Sequence, residues 1–417
     1  MKLQFARIGK LKSFSLYFTA SIITAIIGLL VNPLMAIGLN HSDYAIIGYY
    51  SAYGNLLTPI ISFSLQSYYA RNYHLLDSIN RKKLYNCLIS VFLTFSVAAF
   101  ALFFVGYYVY HIKFVNSIPF TPYAILSFLP LFFSSFYNLY LLDLRMEDKA
   151  RKYSVITVLN SLLGALLSIL LVYVLRYGAT GRLVALLIIS VLFSLYSNAA
   201  KKVKFQWDWG MIKPALKFCF PIMLSGVLSF FFIGIDRPML AKLDDNYMLG
   251  LYNVGIQISS YLAIFGTVLL QTFDPDLYKY TSLEQHRKVL LLVIGITVAC
   301  ALPNMLFMTM SKPLIGLLTA GRYVESSSFA NIVCIKNITT TFAYIMSGVL
   351  IGYGYSGYEL INRALGAICA FVIYQVLISN FGFYGAAWGQ GITWLAMGLI
   401  SCCCLMIIRT RKNETEA

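Results

Sequence analysis

The 417-residue chain is 59% hydrophobic and 12% charged, with 32 Lys and Arg against 16 Asp and Glu and a net charge of +16. With a mean hydropathy of +0.74, it carries more apolar surface than a soluble domain of this length can bury. A soluble domain is excluded, and a polytopic membrane protein is expected.

A spanning helix needs about 20 apolar residues. By that ruler twelve spans are predicted: 14–37, 44–66, 87–110, 118–141, 153–175, 183–199, 218–241, 250–273, 289–309, 329–351, 364–381 and 384–407. The first is too long for a cleaved signal and is expected to remain as a helix. Alternating polar and apolar strands are absent, which sets aside an outer-membrane barrel. The predicted class is therefore an all-α polytopic membrane protein.

On the first span, Ser21, Thr24, Gly28 and Asn32 share approximately one face. On the second, Ser51, Asn55, Thr58, Ser62 and Gln66 form a polar stripe at helical spacing, with Pro59 as a kink site. Glu147 and Asp148 beside Lys149, Arg151 and Lys152 read as a solvated inner loop. Trp207-Asp208-Trp209 reads as an interfacial anchor in a basic segment. The seventh span carries Asp236 and Arg237 inside the apolar run 218–243, with Lys242 further out. An ionised side chain there costs at least a few kcal/mol unless it faces a partner or a hydrated cavity.

The eighth span carries Asn253, Gln257, Ser260, Thr267 and Gln271, and the tenth carries Lys336 with Thr340, Tyr344 and Ser347 continuing its face. Two readings stand for Arg237 and Lys336: internal ion pairing, or an electropositive lumen for an anionic ligand. The stripes either join helices by hydrogen bonds or line that lumen. All eight cysteines fall in apolar segments without metal-ligand spacing. His41, His74, His111 and His286 lie in loops or at span ends, and no loop is long enough for an extramembrane catalytic domain. An enzyme is not expected.

Lys and Arg set the orientation. With the N-terminus cytoplasmic, 24 lie on the inner side and 7 on the outer, with Lys336 inside a span. Both termini are thus predicted to face the cytoplasm. This accounts for most of the positive charge without nucleic acid.

The two halves repeat at an offset near 202–205. Pro33-Leu34-Met35-Ala36 matches Pro238-Met239-Leu240-Ala241. The set Asp43, Gly48 and Tyr50 matches Asp245, Gly250 and Tyr252. Asn160 with Leu163-Gly164-Ala165 matches Asn362 with Leu365-Gly366-Ala367, and Gly178 with Gly181 matches Gly382 with Gly385. Six spans separate equivalent positions, so the repeats are parallel. The predicted organisation is an N-terminal six-helix lobe (1–200), a basic cytoplasmic linker (201–217), a C-terminal six-helix lobe (218–407) and a cytoplasmic tail (408–417).

The segment Leu39-Asn40-His41-Ser42-Asp43-Tyr44 through Gly48-Tyr49-Tyr50 resembles the region after the first helix of polysaccharide (O-antigen type, Wzx-like) flippases. So do the block Ile235-Asp236-Arg237-Pro238-Met239-Leu240 through Gly250-Leu251-Tyr252 and the pattern Gly382-Phe383-Tyr384-Gly385-Ala386-Ala387. That family belongs to the multidrug/oligosaccharidyl-lipid/polysaccharide (MOP) exporter superfamily. The resemblance implies two six-helix lobes, a V-shaped cleft and alternating access in a bacterial inner membrane. Its implied cargo is an undecaprenyl-pyrophosphate-linked oligosaccharide.

The resemblance makes Arg237, Lys336 and Lys242 the candidate cargo-facing cations, and Asp236, the best embedded acid of the sequence, is the candidate for ion coupling or for an outward gate. It implies no cofactor beyond a proton or sodium gradient. The implied partners are the lipid-linked oligosaccharide, membrane lipids, a polysaccharide polymerase and a chain-length regulator. Two alternatives stand beside it. A cation-coupled multidrug exporter would share the fold but place acids in its lumen, and an O-antigen polymerase or membrane glycosyltransferase would need a large catalytic loop.

Overall fold

The predicted spans become long helices whose ends are set by glycine, proline and capping residues. The computed structural model describes the backbone of residues 2–114 and 117–416. It also describes their side chains, apart from those of 2–15, 18, 114, 275, 356, 357, 359, 360 and 407–416. The basic tails carrying Lys2, Arg7, Lys10 and Lys12 and carrying Arg409, Arg411 and Lys412 fall outside the described side chains.

The elements are α1 (Lys2–Gly38), α2 (His41–Ser62), α3 (Leu65–Asn72), α4 (Ser78–Phe114), α5 (Tyr123–Met146), α6 (Ala150–Ser168), α7 (Gly178–Lys201) and α8 (Trp209–Leu228). They continue as α9 (Phe230–Ile233), α10 (Asp236–Leu240), α11 (Asn246–Ser282), α12 (His286–Leu318), α13 (Ser327–Gly352) and α14 (Ser356–Glu416). A π-helical turn, Ile169–Val174, extends α6. There is no strand among the described residues.

Among the described residues, ten helical segments are long and apolar enough to cross a membrane. The last, Ile361–Met406, is 46 residues long and contains a break at Gly382 (φ 56°, ψ −129°), so it supplies two spans. Helix α2, at 22 residues, is long enough to span but is diluted by tyrosine, glycine and its polar stripe. Together these give the twelve expected spans.

The sequence repeat has a structural counterpart. Gly178 and Gly382 both adopt φ of +56°, which a side chain on an L-residue resists. Three residues on, a Cβ at Gly181 would lie 2.9 Å from the Leu171 carbonyl oxygen, and one at Gly385 would lie 1.9 Å from that of Leu377. Each glycine pair therefore lets the chain reverse tightly between two spans. Asp43 and Asp245 are likewise both N-terminal capping groups. Asp43 closes a capping box with Asn40, and Asp245 accepts from the Met248 amide at 2.9 Å.

The chain divides into two compact units, 1–227 with 318–320, and 228–317 with 321–417. In the first, Ile212, Ala215 and Cys219 of α8 join a core with Tyr69, Leu88, Phe92 and Leu139 of α3, α4 and α5. At one end of this unit Lys201 (α7) pairs with Asp143 (α5) and with Glu147 at 3.1 Å, while the Tyr69 hydroxyl (α3) donates to Asp143. In the second unit, Asn337 (α13) donates to the Ser259 carbonyl (α11) at 2.9 Å and to Asn304 (α12) at 3.1 Å. The outer faces keep apolar side chains such as Leu102, Leu306 and Leu317 exposed, as lipid-facing surfaces do.

Candidate functional site

The apolar run around Asp236 was expected to form one continuous span through 241, and it does not. After α8 the helix breaks near Ser229, resumes as α9, breaks again at Gly234 and restarts as α10 with Asp236 as its first residue. Pro238 explains the second break. It has no N–H for the carbonyl of residue 234, and its ring would crowd that carbonyl in a continuous helix.

Asp236 is buried, at 1% exposure. One carboxylate oxygen accepts from the Tyr252 hydroxyl (α11) at 2.5 Å and from the Gln390 amide (α14) at 2.9 Å, and Gln390 also donates to Tyr252 at 2.9 Å. Its other oxygen is buried with no hydrogen-bond partner. The acid thus stands at the junction of three elements of one unit.

Arg237 turns away from Asp236. Its Nε donates to the side-chain Oδ1 of Asn253 (α11) at 2.8 Å, and one terminal nitrogen lies 3.4 Å from the Ile233 backbone carbonyl. Asn253 is held in turn by its amide on the Leu249 carbonyl at 2.9 Å. Lys336 is partly buried on α13, within the electrostatic reach of both Arg237 and Asp236. Its ammonium has no hydrogen bond or ion pair among the described residues. Lys242 is exposed on the 3-10 turn Ala241–Leu243, whose first residue is buried. The cluster therefore brings together two cations and one acid whose accepting oxygen is already occupied by neutral donors.

The polar stripes divide. In the second unit Asn253 is buried against Arg237, while Gln257, Ser260, Thr267 and Gln271 are exposed along α11. The hydroxyls of Ser260 and Thr267 bond back to their own helix. In the first unit Phe63 and Ser64, both with left-handed backbone angles, end α2. Gln66 therefore lies on α3, off the stripe of Ser51, Asn55, Thr58 and Ser62. Ser62 accepts from the Ser64 amide at 3.3 Å across this break. Ser51, Asn55 and Thr58 face an open cavity of about 460 Å³ lined by α2, α5, α6 and α7.

Residues 77–328 match a family described as polysaccharide biosynthesis protein, which is more than half of the chain. The chain belongs to this family. The polysaccharide biosynthesis fold agrees with several solved transporters. An inward-facing multidrug resistance MATE family transporter of the MOP superfamily aligns with TM-score 0.71 at 16% identity, over 94% of this chain and 96% of that one. The lipid II flippase MurJ in an inward closed conformation aligns with TM-score 0.71 at 14% identity, over 94% of this chain and 87% of that one. The MATE multidrug transporter DinF-BH aligns with TM-score 0.65 at 16% identity, over 95% of this chain and 96% of that one. At these identities the likeness is one of fold. No curated protein matches the chain.

Within this polysaccharide biosynthesis protein, sequence periodicity missed Gln390, Tyr252 and the remaining walls of the first-unit cavity. Tyr252 was visible as a repeated tyrosine with no role attached. Gln390 had a weak signal, an amide between Gly389 and Gly391 in an otherwise apolar span. In the first repeat Val31 and Asn32 occupy the positions of Asp236 and Arg237, so the charged pair belongs to the second half alone.

Proposed function

We propose that the protein is a flippase that moves an undecaprenyl-pyrophosphate-linked oligosaccharide repeat unit from the inner to the outer leaflet of a bacterial inner membrane. Alternating access between its two six-helix lobes drives the movement, and the product feeds surface polysaccharide synthesis. Membership of the polysaccharide biosynthesis family supports the cargo class, and the fold shared with transporters supports the mode.

The observation that carries this reading is the balance of charge in the second unit. Lys336 makes no ion pair among the described residues, and Arg237 is held by a neutral amide rather than by Asp236. Two cations against one carboxylate favour an anionic visitor, because an uncompensated charge in hydrocarbon is costly. A pyrophosphate supplies that counter-charge. A drug cation does not, which sets this reading above multidrug export. Lys242 and the exposed amides and hydroxyls of α11 extend the polar surface beside these cations.

The proposed working context is an inner membrane with both termini cytoplasmic, membrane lipids as surroundings, and a polymerase and chain-length regulator receiving the product. Asp236 is the proposed site of coupling to a proton or sodium gradient, since one buried oxygen has no hydrogen-bond partner. Transport in vesicles should then accelerate when either gradient is imposed. An unchanged rate under both gradients removes Asp236 from coupling.

The cargo reading is tested in cells. The double variant Arg237→Ala/Lys336→Ala should reach the membrane at normal levels yet lose surface polysaccharide at least tenfold, as expected for charge-assisted hydrogen bonds worth about 1.5–3 kcal/mol each. Normal surface polysaccharide in that variant would rule out an essential role for these cations.

A further inference from the structure

The cavity of the first unit differs in chemistry from the charged cluster of the second. None of its lining residues is charged. Three of them are asparagines from three helices: Asn55 on α2, Asn138 on α5 and Asn160 on α6. None of these carboxamides makes a hydrogen bond among the described residues. The Ser127 hydroxyl on α5 is buried and also has no partner. Each amide offers two donors and an acceptor. Asn55 and Asn138 are exposed and Asn160 is half-buried, so all three amides are open to a molecule entering the cavity.

The repeat provides an internal comparison. Asn362, the counterpart of Asn160, is buried and donates to the Ser401 hydroxyl at 2.8 Å. In the second unit that amide joins two stretches of helix, whereas in the first it faces open space. The volume of about 460 Å³ falls within the roughly 300–1,000 Å³ of small-molecule sites. The hydroxyls of Ser51, Thr58, Ser127, Ser134 and Ser190 share the remaining wall with apolar and aromatic side chains such as Leu131, Leu183 and Tyr137.

We infer that this cavity is a binding site for neutral sugar residues of the transported glycan, recognised by the free amides of Asn55, Asn138 and Asn160. An ion would lack a counter-charge there, and a purely apolar tail would leave all three amides unmet. A polyhydroxylated ring satisfies both requirements, pairing its hydroxyls with the amides and laying its C–H faces on the apolar wall. This site rests on the flippase reading. It adds a division of labour, with cations for the pyrophosphate in one unit and uncharged amides for the sugar in the other.

The test measures binding to the full-length protein in nanodiscs with two probes. One is undecaprenyl pyrophosphate without sugar, and the other is the undecaprenyl-pyrophosphate-linked oligosaccharide extracted from membranes of the source strain. Asn55→Ala, Asn138→Ala and Asn160→Ala, made singly and together, remove the amides without adding bulk, and the single variants keep the test intact if the triple does not fold. Each is expected to weaken oligosaccharide binding about fivefold to tenfold and to leave the sugar-free probe unchanged. Arg237→Ala should weaken both probes. Equal affinity of wild type for the two probes, or variants that weaken both or neither, overturns this site while leaving the flippase reading intact. Failure of wild type to bind either probe overturns the flippase reading and the sugar site together.

Discussion

Asp236 and Arg237 are neighbours in sequence that do not pair with each other. Successive helical residues point about 100° apart, and here each finds a different partner across α11. Removing the acid as Asp236→Leu would leave the buried Tyr252 hydroxyl without its acceptor and Gln390 bonded to Tyr252 alone. A loss of about 1–3 kcal/mol is expected, read as a lower melting temperature in detergent. An unchanged melting temperature would mean that the triad does not contribute to holding α10, α11 and α14 together. The costly charges at 236, 237 and 336 were visible in the sequence, because such residues are conspicuous in an apolar run. Their partners were not. Gln390 lies 154 positions from Asp236, and no local periodicity joins them.

At the scale of elements, helices and their order were legible because a 20-residue apolar run has few alternatives in a bilayer. Breaks were less so. Pro59 marked a site of disruption, but the interruptions at 63–64 and 229–235 depend on packing that periodicity does not encode. Repeated glycines proved better guides. Gly178→Ala should destabilise by about 1–2 kcal/mol, because it takes a residue with φ of +56° and places a Cβ 2.8 Å from the Asp43 carboxylate. A stability equal to wild type would show that the turn relaxes freely.

The Asp143–Glu147–Lys201 cluster joins α5 to α7 and is sensitive to pH. Burial pushes the Glu147 carboxyl up, but hydrogen bonds from Lys149 and Lys201 outweigh it and hold the group below its usual range. A depressed carboxyl stabilises the fold above its unfolded pKa and loses that contribution as pH falls through the folded value. Thermal stability should therefore decline below the ordinary glutamate range, and Glu147→Gln should flatten that decline. An acid profile unaltered by Glu147→Gln would contradict this assignment. Lys201→Ala should cost about 3 kcal/mol or more, since Asp143 would remain buried without its cation. An unchanged stability would show that Asp143 needs no cation.

For the whole molecule, the chain combines two units built from one repeat that have diverged in chemistry. The stripe on α2 opens on an uncharged cavity, while the matching face of α11 carries Asn253 against Arg237. Sequence periodicity placed both stripes but could not tell a hollow from a filled interior, because that depends on side chains contributed by other helices, such as Asn138 and Ser127 of α5. The excess of inner-side Lys and Arg predicts that a fluorescent protein fused at residue 417 will fluoresce and that a periplasm-dependent reporter there will be inactive. The opposite pattern would reverse the assignment of the two membrane faces.

Flippase activity itself is tested most directly by reconstituting the purified protein into sealed vesicles that carry the lipid-linked oligosaccharide in both leaflets. The fraction of glycan open to a membrane-impermeant glycosidase is then followed over time. Wild type should make nearly all of it accessible, and Arg237→Ala/Lys336→Ala should slow the second, translocation-dependent phase at least tenfold. A fraction that stays at one leaflet's share with wild type present, as in protein-free vesicles, would contradict the account.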